Sequence, residues 1–384
     1  AVGARNTSPY RIPGLNPYNW APENYSALKN WLERWQSRAN RTGGVAIFDF
    51  DNTCIYGDVG KVVFQYQLRH LRFRLSPGRF AKLFPEHLDD LTDRQILLVI
   101  QRINELYTLL FHFIALNKRE YALEMPEAQE FQVLLTWYCG VARQHEALGP
   151  LYSLSFLTKL LAGYSVQEVE DLSYEAIASA LFEPVLPRKE VAHYMKDIGQ
   201  LKVSATDWLR IQPEIIDLMT QLREVGIRCC IVSASTEWIV KAAAFFFDLP
   251  VDQEDIFGIR VTLQQHNDVL STKLPDDYPV TYGSGKVEVI RNHITESSPV
   301  LVAGDAVTDY EMLNLPQVPL RLLINHNRTD RIASLYSDCR FLVQGLNKKT
   351  GFFRPHRETL EYDIQESSSL DWKQAAEDPR ILVL

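Results

Sequence analysis

Gly44-Val45-Ala46-Ile47-Phe48-Asp49-Phe50-Asp51-Asn52-Thr53 decides how the chain is read. The segment opens with an unbroken apolar run and ends in polar residues, the first of them a carboxylate. Such a run fits a strand buried on both faces, as in a parallel sheet covered by helices. Carboxylates just past the C-terminal end of that strand stand where open α/β sheets bind their ligands. Strand alternation alone does not bring Asp51 back beside Asp49, so a turn after the strand has to do so.

Outward from this segment, strand and helix alternate again from Pro213. Ile215, Leu218, Met219 and Leu222 form one helical stripe, Gly226 stops it, and Arg228-Cys229-Cys230-Ile231-Val232 follows as a strand. Further strands are expected at Val300 to Ala303, Arg321 to Ile324 and Phe341 to Val343, with helices beginning near Lys286 and after Thr308. Ile256 to Lys273 reads as a β-hairpin. From Val59 to Arg210 the apolar residues instead follow helical spacing, broken near Ser76-Pro77-Gly78, Gly149-Pro150 and Pro184 to Pro187. The expected organisation is an arm and a helix over 1–43, the first part of a core over 44–58, a helical cap over 59–210, the second part of the core over 211–345 and a polar tail over 346–384. The fold class is α/β: a Rossmann-like parallel sheet interrupted by a large helical insertion.

The 384 residues are 46% hydrophobic and 23% charged, which fits two or three ordinary globular domains. Forty Lys and Arg against 48 Asp and Glu leave a net charge of −8, so no global attraction draws the chain to nucleic acid or anionic lipid. The longest apolar stretch, Leu97 to Leu116, is interrupted by Gln101, Arg102, Asn104, Glu105 and His112 and reads as a buried helix, not a membrane span. Five cysteines without CxxC spacing argue against a complete disulfide framework and against a zinc site. Without an initiator Met or an apolar leader, the chain is expected to be a processed or trimmed form, periplasmic or secreted, with a cytoplasmic home as the alternative.

Four short polar segments sit at expected strand ends or helix starts: Asp49-Phe50-Asp51-Asn52-Thr53, Ser233-Ala234-Ser235, Gly285-Lys286 and Gly304-Asp305-Ala306-Val307-Thr308-Asp309. In order and chemistry they resemble the four motifs of the haloacid dehalogenase superfamily of phosphatases, with a DxDxT motif, a Ser, a Lys and a GDxxxD motif. An insertion between the first two motifs resembles the phosphoserine phosphatase-like branch. The extended cap and the Trp-containing first helix look most like secreted bacterial phosphorylcholine phosphatases.

That resemblance implies a Mg²⁺-dependent hydrolysis of a small phosphomonoester through an aspartyl-phosphate. Asp49 would be the nucleophile and Asp51 the acid that protonates the leaving alkoxide and later activates water. Asp49, Asp305 and Asp309, with the backbone carbonyl of Asp51, would make up the Mg²⁺ site. Ser233, Lys286 and Thr53 would hold the phosphoryl oxygens or brace the loop. Asp58 falls where the branch carries an acid that receives a substrate ammonium, so a cationic alcohol portion such as choline, serine or ethanolamine is expected.

Plainer readings exist for each residue. An EF-hand loop would need Gly where Cys54 stands and Glu where Gly60 stands, and a Walker A loop would need Gly at Val280 and Ser or Thr at Val287. Asp58 is also a natural N-cap, and Lys61 would repel a quaternary ammonium. Tyr56, Tyr66, Trp137, Tyr138, Tyr152 and Trp238 could form a cage for such a group or could be core. The rival functions are an idle binding protein for a phosphorylated ligand and a dehalogenase; Asp51 speaks against the latter, because a halide leaves without a proton.

Overall fold

The computed structural model describes residues 14–37, 43–86, 91–192, 199–264 and 268–361. The beginning of the expected arm and residues 362–384 of the expected tail lie outside the described residues. Helix α1 (Pro22–Gln36) starts on its proline, whose missing N–H costs nothing there, and leads to β1 (Val45–Phe48). A tight loop and the short strand β2 (Ile55–Tyr56) open the insertion. It contains α2 (Val59–Arg69), α3 (Pro77–Ala81), α4 (Leu91–Ala115), α5 (Arg119–Leu123), α6 (Pro126–Gln144), α7 (Gly149–Lys159) and α8 (Val166–Phe182). A hairpin, β3 (Arg188–Val191) with β4 (Lys202–Ala205), follows, and the chain returns through β5 (Arg210–Ile211). The insertion is therefore not wholly helical as expected. Its last part is extended because Pro184 and Pro187 end the helical run and Arg188 to Val191 alternate half-buried with exposed.

The second part runs α9 (Pro213–Glu224), β6 (Arg228–Thr236), α10 (Glu237–Phe246), β7 (Ile256–Ile259), a small hairpin of β8 (Leu263–Gln264) and β9 (Val269–Leu270), α11 (Ser284–Val289), β10 (Leu301–Gly304), α12 (Tyr310–Leu313), β11 (Leu320–Asn325), β12 (Leu342–Asn347) and β13 (Phe352–Phe353). Seven strands form one sheet in the order β13-β12-β11-β10-β1-β6-β7, parallel except for β13. Two expectations need correcting. The start of the supposed 256–273 hairpin is β7, a parallel edge strand whose four residues are all buried. The boundary at 345 falls inside β12: Leu346 and Phe353 belong to the core, and Phe353 meets the Trp20 ring edge-on at 5.5 Å.

Alternation along the strands explains the unbroken apolar run of Val45–Phe48. Ala46 and Phe48 pack into one cluster with Leu28, Ile215 and Val240, while Ile47 packs into another with Val289, Met312 and Leu313. Cys229 and Cys230 divide between the same two faces, and all five cysteines are free thiols. The insertion has a third, aromatic core of its own, in which Phe80 stacks on Tyr107 with ring centres 3.9 Å apart. Arg94–Ala115 of α4 is long and apolar enough to cross a membrane by length and composition. In this fold it packs on α6, where its Arg102 donates twice to the Glu130 carboxylate at 2.8 Å.

Both ends of the insertion meet in a two-stranded ribbon, β2 antiparallel to β5, with Ile55 opposite Ile211 and Tyr56 opposite Arg210. This ribbon lies immediately after Asp49–Thr53. It fixes where the insertion leaves the sheet and aims it over the C-terminal ends of β1 and β6.

Candidate active site

The polar segments from the ends of β1, β6 and β10 and the start of α11 come together. The loop after β1 is closed by Asn52, which adopts φ 60°, donates from its N–H to the Gly57 carbonyl and accepts the Gly57 N–H on Oδ1, both at 3.1 Å. Asn tolerates this left-handed conformation better than most residues. The turn is braced from the far side by His326, whose buried Nε2–H donates to the Asn52 carbonyl at 3.0 Å while its ring stacks on Tyr56. Burial, and then Arg328, push the imidazole down to about 3, so it is neutral at any working pH.

Asp49 and Asp309 share one cation. The Lys286 Nζ donates to Asp49 Oδ1 at 2.6 Å and to Asp309 Oδ1 at 2.7 Å, and the lysine is fully buried. Burial alone would lower the ammonium's pKa; the carboxylates of Asp309 and Asp49 reverse this and raise it. Asp309 is held further by the backbone N–H groups of Asp305 and Ala306 on Oδ2, at 3.0 and 3.1 Å. Gly304 makes room for this: a Cβ there would stand 2.8 Å from Asp309 side-chain atoms. Gly285, just before Lys286, lets the start of α11 pass close to Val280, since a Cβ there would collide with the Val280 carbonyl. Thr53, fully buried, reaches Asp49 Oδ2 at 3.4 Å.

One oxygen each of Asp49, Asp305 and Asp309 lies within 4.8 Å of the others. Burial, followed by the repulsion of Asp309, raises Asp49 well above the usual carboxylate range, and burial pushes Asp305 up to about 6 against the pull of Arg328, 2.9 Å away. These shifts express a need for positive charge. Four buried or partly buried site carboxylates, Asp51 included, face two fixed cations, Lys286 and Arg328. An all-oxygen donor set of this charge suits a hard divalent cation such as Mg²⁺ and no soft metal.

Asp51 is engaged elsewhere, and its carboxylate is not part of that cluster. Oδ1 accepts the Val59 N–H at 2.6 Å, and Oδ2 accepts the Ser235 hydroxyl at 2.6 Å and the Ser233 hydroxyl at 3.4 Å. Burial, then the nearby Asp58, push it up to about 7, although Ser235, Val59 and Lys61 pull the other way. The expectation gave Asp51 to the metal through its backbone carbonyl, and the side chain is accordingly free for these hydrogen bonds. Ser233 is fully buried and also accepts the Ser235 N–H at 3.0 Å.

Asp58 serves as the N-cap of α2. Its Oδ1 accepts the Lys61 N–H at 2.9 Å and its Oδ2 pairs with Lys61 Nζ at 2.8 Å. Burial would raise this carboxyl, but Lys61, with Arg143 adding to it, holds it below its usual range. None of the six aromatic residues that could have formed a cage lines the cavity beside Ser235. Tyr138 is fully buried and bonds the Tyr152 hydroxyl at 2.7 Å, Tyr66 bonds Glu175, and Trp238 packs in the core.

Three contributors escaped the sequence reading. Ser235 was in view beside Ser233, and the strand period puts both on one face of β6. Arg328 and His326 lie just past the C-terminal end of β11, so the strand-end rule that found the other segments could have found them there too.

A family model described as haloacid dehalogenase-like hydrolase matches residues 141–314, which include Ser233, Lys286, Asp305 and Asp309. That segment is similar to the haloacid dehalogenase-like hydrolases. Asp49 and Asp51 precede the matched segment, and the fold carries them to it. A conserved protein of unknown function from Anaerococcus prevotii DSM 20548 is 26% identical over 91% of this chain and 99% of its own, with a TM-score of 0.78. The likeness therefore extends through the insertion. More distant is a phosphoserine phosphohydrolase-like protein from Francisella tularensis subsp. tularensis SCHU S4, 12% identical over 73% of this chain and 87% of that one, with a TM-score of 0.36. A substrate-bound phosphoserine phosphatase is 10% identical over 74% and 87%, with a TM-score of 0.34. No curated protein sequence matches this chain.

Proposed function

We propose that this protein cleaves a small phosphomonoester with Asp49 as nucleophile and Asp51 as general acid and base. The carrying observation is the division of labour between two carboxylates two residues apart. Asp49 lies in an oxygen cluster suited to a cation, oriented by Lys286; Asp51 lies outside it, held by Ser235 and the Val59 N–H. Titratable neighbours kept in different environments are the usual sign of separate nucleophilic and acid roles.

In the first half-reaction an Asp49 oxygen bonds to phosphorus as the bond from phosphorus to the alcohol oxygen breaks, and Asp51 passes its proton to the departing alkoxide. In the second, Asp51 takes a proton from water, the water oxygen bonds to phosphorus, and the bond to Asp49 breaks to release inorganic phosphate. Lys286 keeps Asp49 aimed and, with the Ser233 hydroxyl, offers donors to the phosphoryl oxygens. Thr53 and Asp309 hold Asp49 and Lys286 in place. Bound at Asp49 and Asp305 beside Asp309, Mg²⁺ would neutralise the excess negative charge and polarise a phosphoryl oxygen.

Hydrolysis of p-nitrophenyl phosphate with and without Mg²⁺, together with acid-quench trapping of label from a radioactive phosphomonoester, tests this reading. Metal-dependent turnover and label retained on Asp49 are expected. Turnover without label, or label that survives Asp49→Asn, would remove the covalent route. Binding of a phosphate ester without turnover would favour the idle binding protein. The second carboxyl, Asp51, speaks against a dehalogenase, because a halide leaves without a proton.

A further inference from the structure

A cavity of about 140 Å³ opens between the insertion and the core, with Ser235 at its floor beside the Asp51 carboxylate. This is where the alcohol portion of a substrate would lie if its phosphoryl group met Asp49. Its charged lining consists of Asp58, Lys61 and Arg143. Both carboxylate oxygens of Asp58 are taken by Lys61, one by the backbone N–H and one by the ammonium. Asp58 and Lys61 therefore cancel as charges. Arg143, half-buried on α6, makes no ion pair or hydrogen bond with any described residue and leaves the cavity with a net positive charge. Phe64 is the only aromatic residue among the described lining, so a trimethylammonium group would find no cage and an uncancelled cation.

Building on the phosphatase reading above, we propose that the cavity selects a phosphomonoester whose alcohol portion carries a second anionic group, held by the Arg143 guanidinium. A guanidinium presents paired N–H donors that match the two oxygens of a carboxylate or a phosphoryl group. In a cleft walled by the insertion, such a pair is stronger than at an open surface. The expectation of a cationic alcohol selected by Asp58 is replaced by this one, because Asp58 is already neutralised by its own helix. Carboxylate and phosphoryl share this chemistry and are separated by the choice of probe.

The test compares kcat/KM, with Mg²⁺ present, for four esters of similar size: 3-phosphoglycerate, 1,3-propanediol bisphosphate, glycerol 1-phosphate and phosphorylcholine, beside p-nitrophenyl phosphate. At least one of the two anionic esters should exceed both glycerol 1-phosphate and phosphorylcholine by about tenfold or more, and which of them leads identifies the group. In Arg143→Gln the ratio of the preferred anionic ester to glycerol 1-phosphate should fall about tenfold, mainly through KM, and in Arg143→Glu it should fall further. Equal rates on all four esters, a preference for phosphorylcholine, or an anionic preference that survives Arg143→Glu would overturn the inference while leaving the phosphatase reading intact. Failure to hydrolyse any ester, p-nitrophenyl phosphate included, would overturn the phosphatase reading itself.

Discussion

Replacing Ser235 with Ala should move the pH at which turnover falls. Ser235 donates the shorter of the two hydroxyl contacts to Asp51, 2.6 Å against 3.4 Å for Ser233, and it is one of the groups that hold the carboxyl down against burial. A hydrogen bond to a charged group contributes roughly 1.5–3 kcal/mol. With 1.36 kcal/mol per pK unit, and with Val59 and Ser233 still in place, loss of this bond should raise the pKa by about one unit. The sign follows from the role. Asp51 expels an alkoxide only while protonated, so the first half-reaction, read as kcat/KM, is full below its pKa of about 7 and is lost above it. In Ser235→Ala the falling limb should move to about pH 8. The assay is kcat/KM for phosphate release from glycerol 1-phosphate at saturating Mg²⁺ across this range. p-Nitrophenyl phosphate, whose leaving group needs no proton, should show a shallow limb that does not move. A limb on the alkyl ester that stays in place, or shifts downward, would refute the pairing of Ser235 with an acidic Asp51.

Asp49→Asn keeps the side-chain volume and leaves Lys286 on Asp309, so the protein should fold while turnover drops roughly 10⁴-fold or more. Chelation should abolish activity and Mg²⁺ restore it; at about 100 times its Kd, Mg²⁺ should add about 2.7 kcal/mol to stability in wild type and much less in Asp305→Asn, read by thermal melting. Without metal, Asp51 and Asp305 have folded pKa values above the unfolded value of 3.8, so the folded state binds more protons between about pH 4 and 7. Unfolding of the chelated protein should therefore require less denaturant at pH 8 than at pH 5, a difference that Mg²⁺ reduces; a chelated protein that is more stable at pH 8 would contradict this. Gly304→Ala should cost about 1–3 kcal/mol and depress turnover by pushing Asp309, whereas Gly78→Ala, with nothing within 4 Å of the added carbon, should change neither.

The sheet was legible because its central strands are buried on both faces, which leaves unbroken apolar runs such as Val45–Phe48 and Leu301–Ala303 in the sequence. The edges were not. β7 and the end of β12 are too short to show a period, and β13 is two phenylalanines within a polar stretch. The motif residues could be gathered in advance because each stands at the end of a recognisable strand or the start of a helix. Arg328 and His326 also follow a recognisable strand, β11, but they belong to no motif, and their position alone does not tell a residue that braces a site from one that faces solvent. The charge of the cavity was hidden for a different reason. Arg143 lies 82 residues from Lys61, and only the packing of α6 beside α2 puts them on one wall.

The place of β1 between β6 and β10 also bears on how the protein is made. Its four apolar residues leave the ribosome well before any partner, because the first neighbour that can pair with them begins at Arg228, 180 residues after Phe48. At about 5–20 residues per second, that interval is roughly 9–36 s. During it the nascent chain carries a hydrophobic segment with both hydrogen-bonding edges unpaired, a template for unwanted association. The insertion is synthesised in the same interval and has its own aromatic core to bury. Recovery of soluble protein should thus depend on how long Val45–Phe48 waits for partners, and translation slowed within residues 59–210 should lower the yield with no change in the sequence of the product.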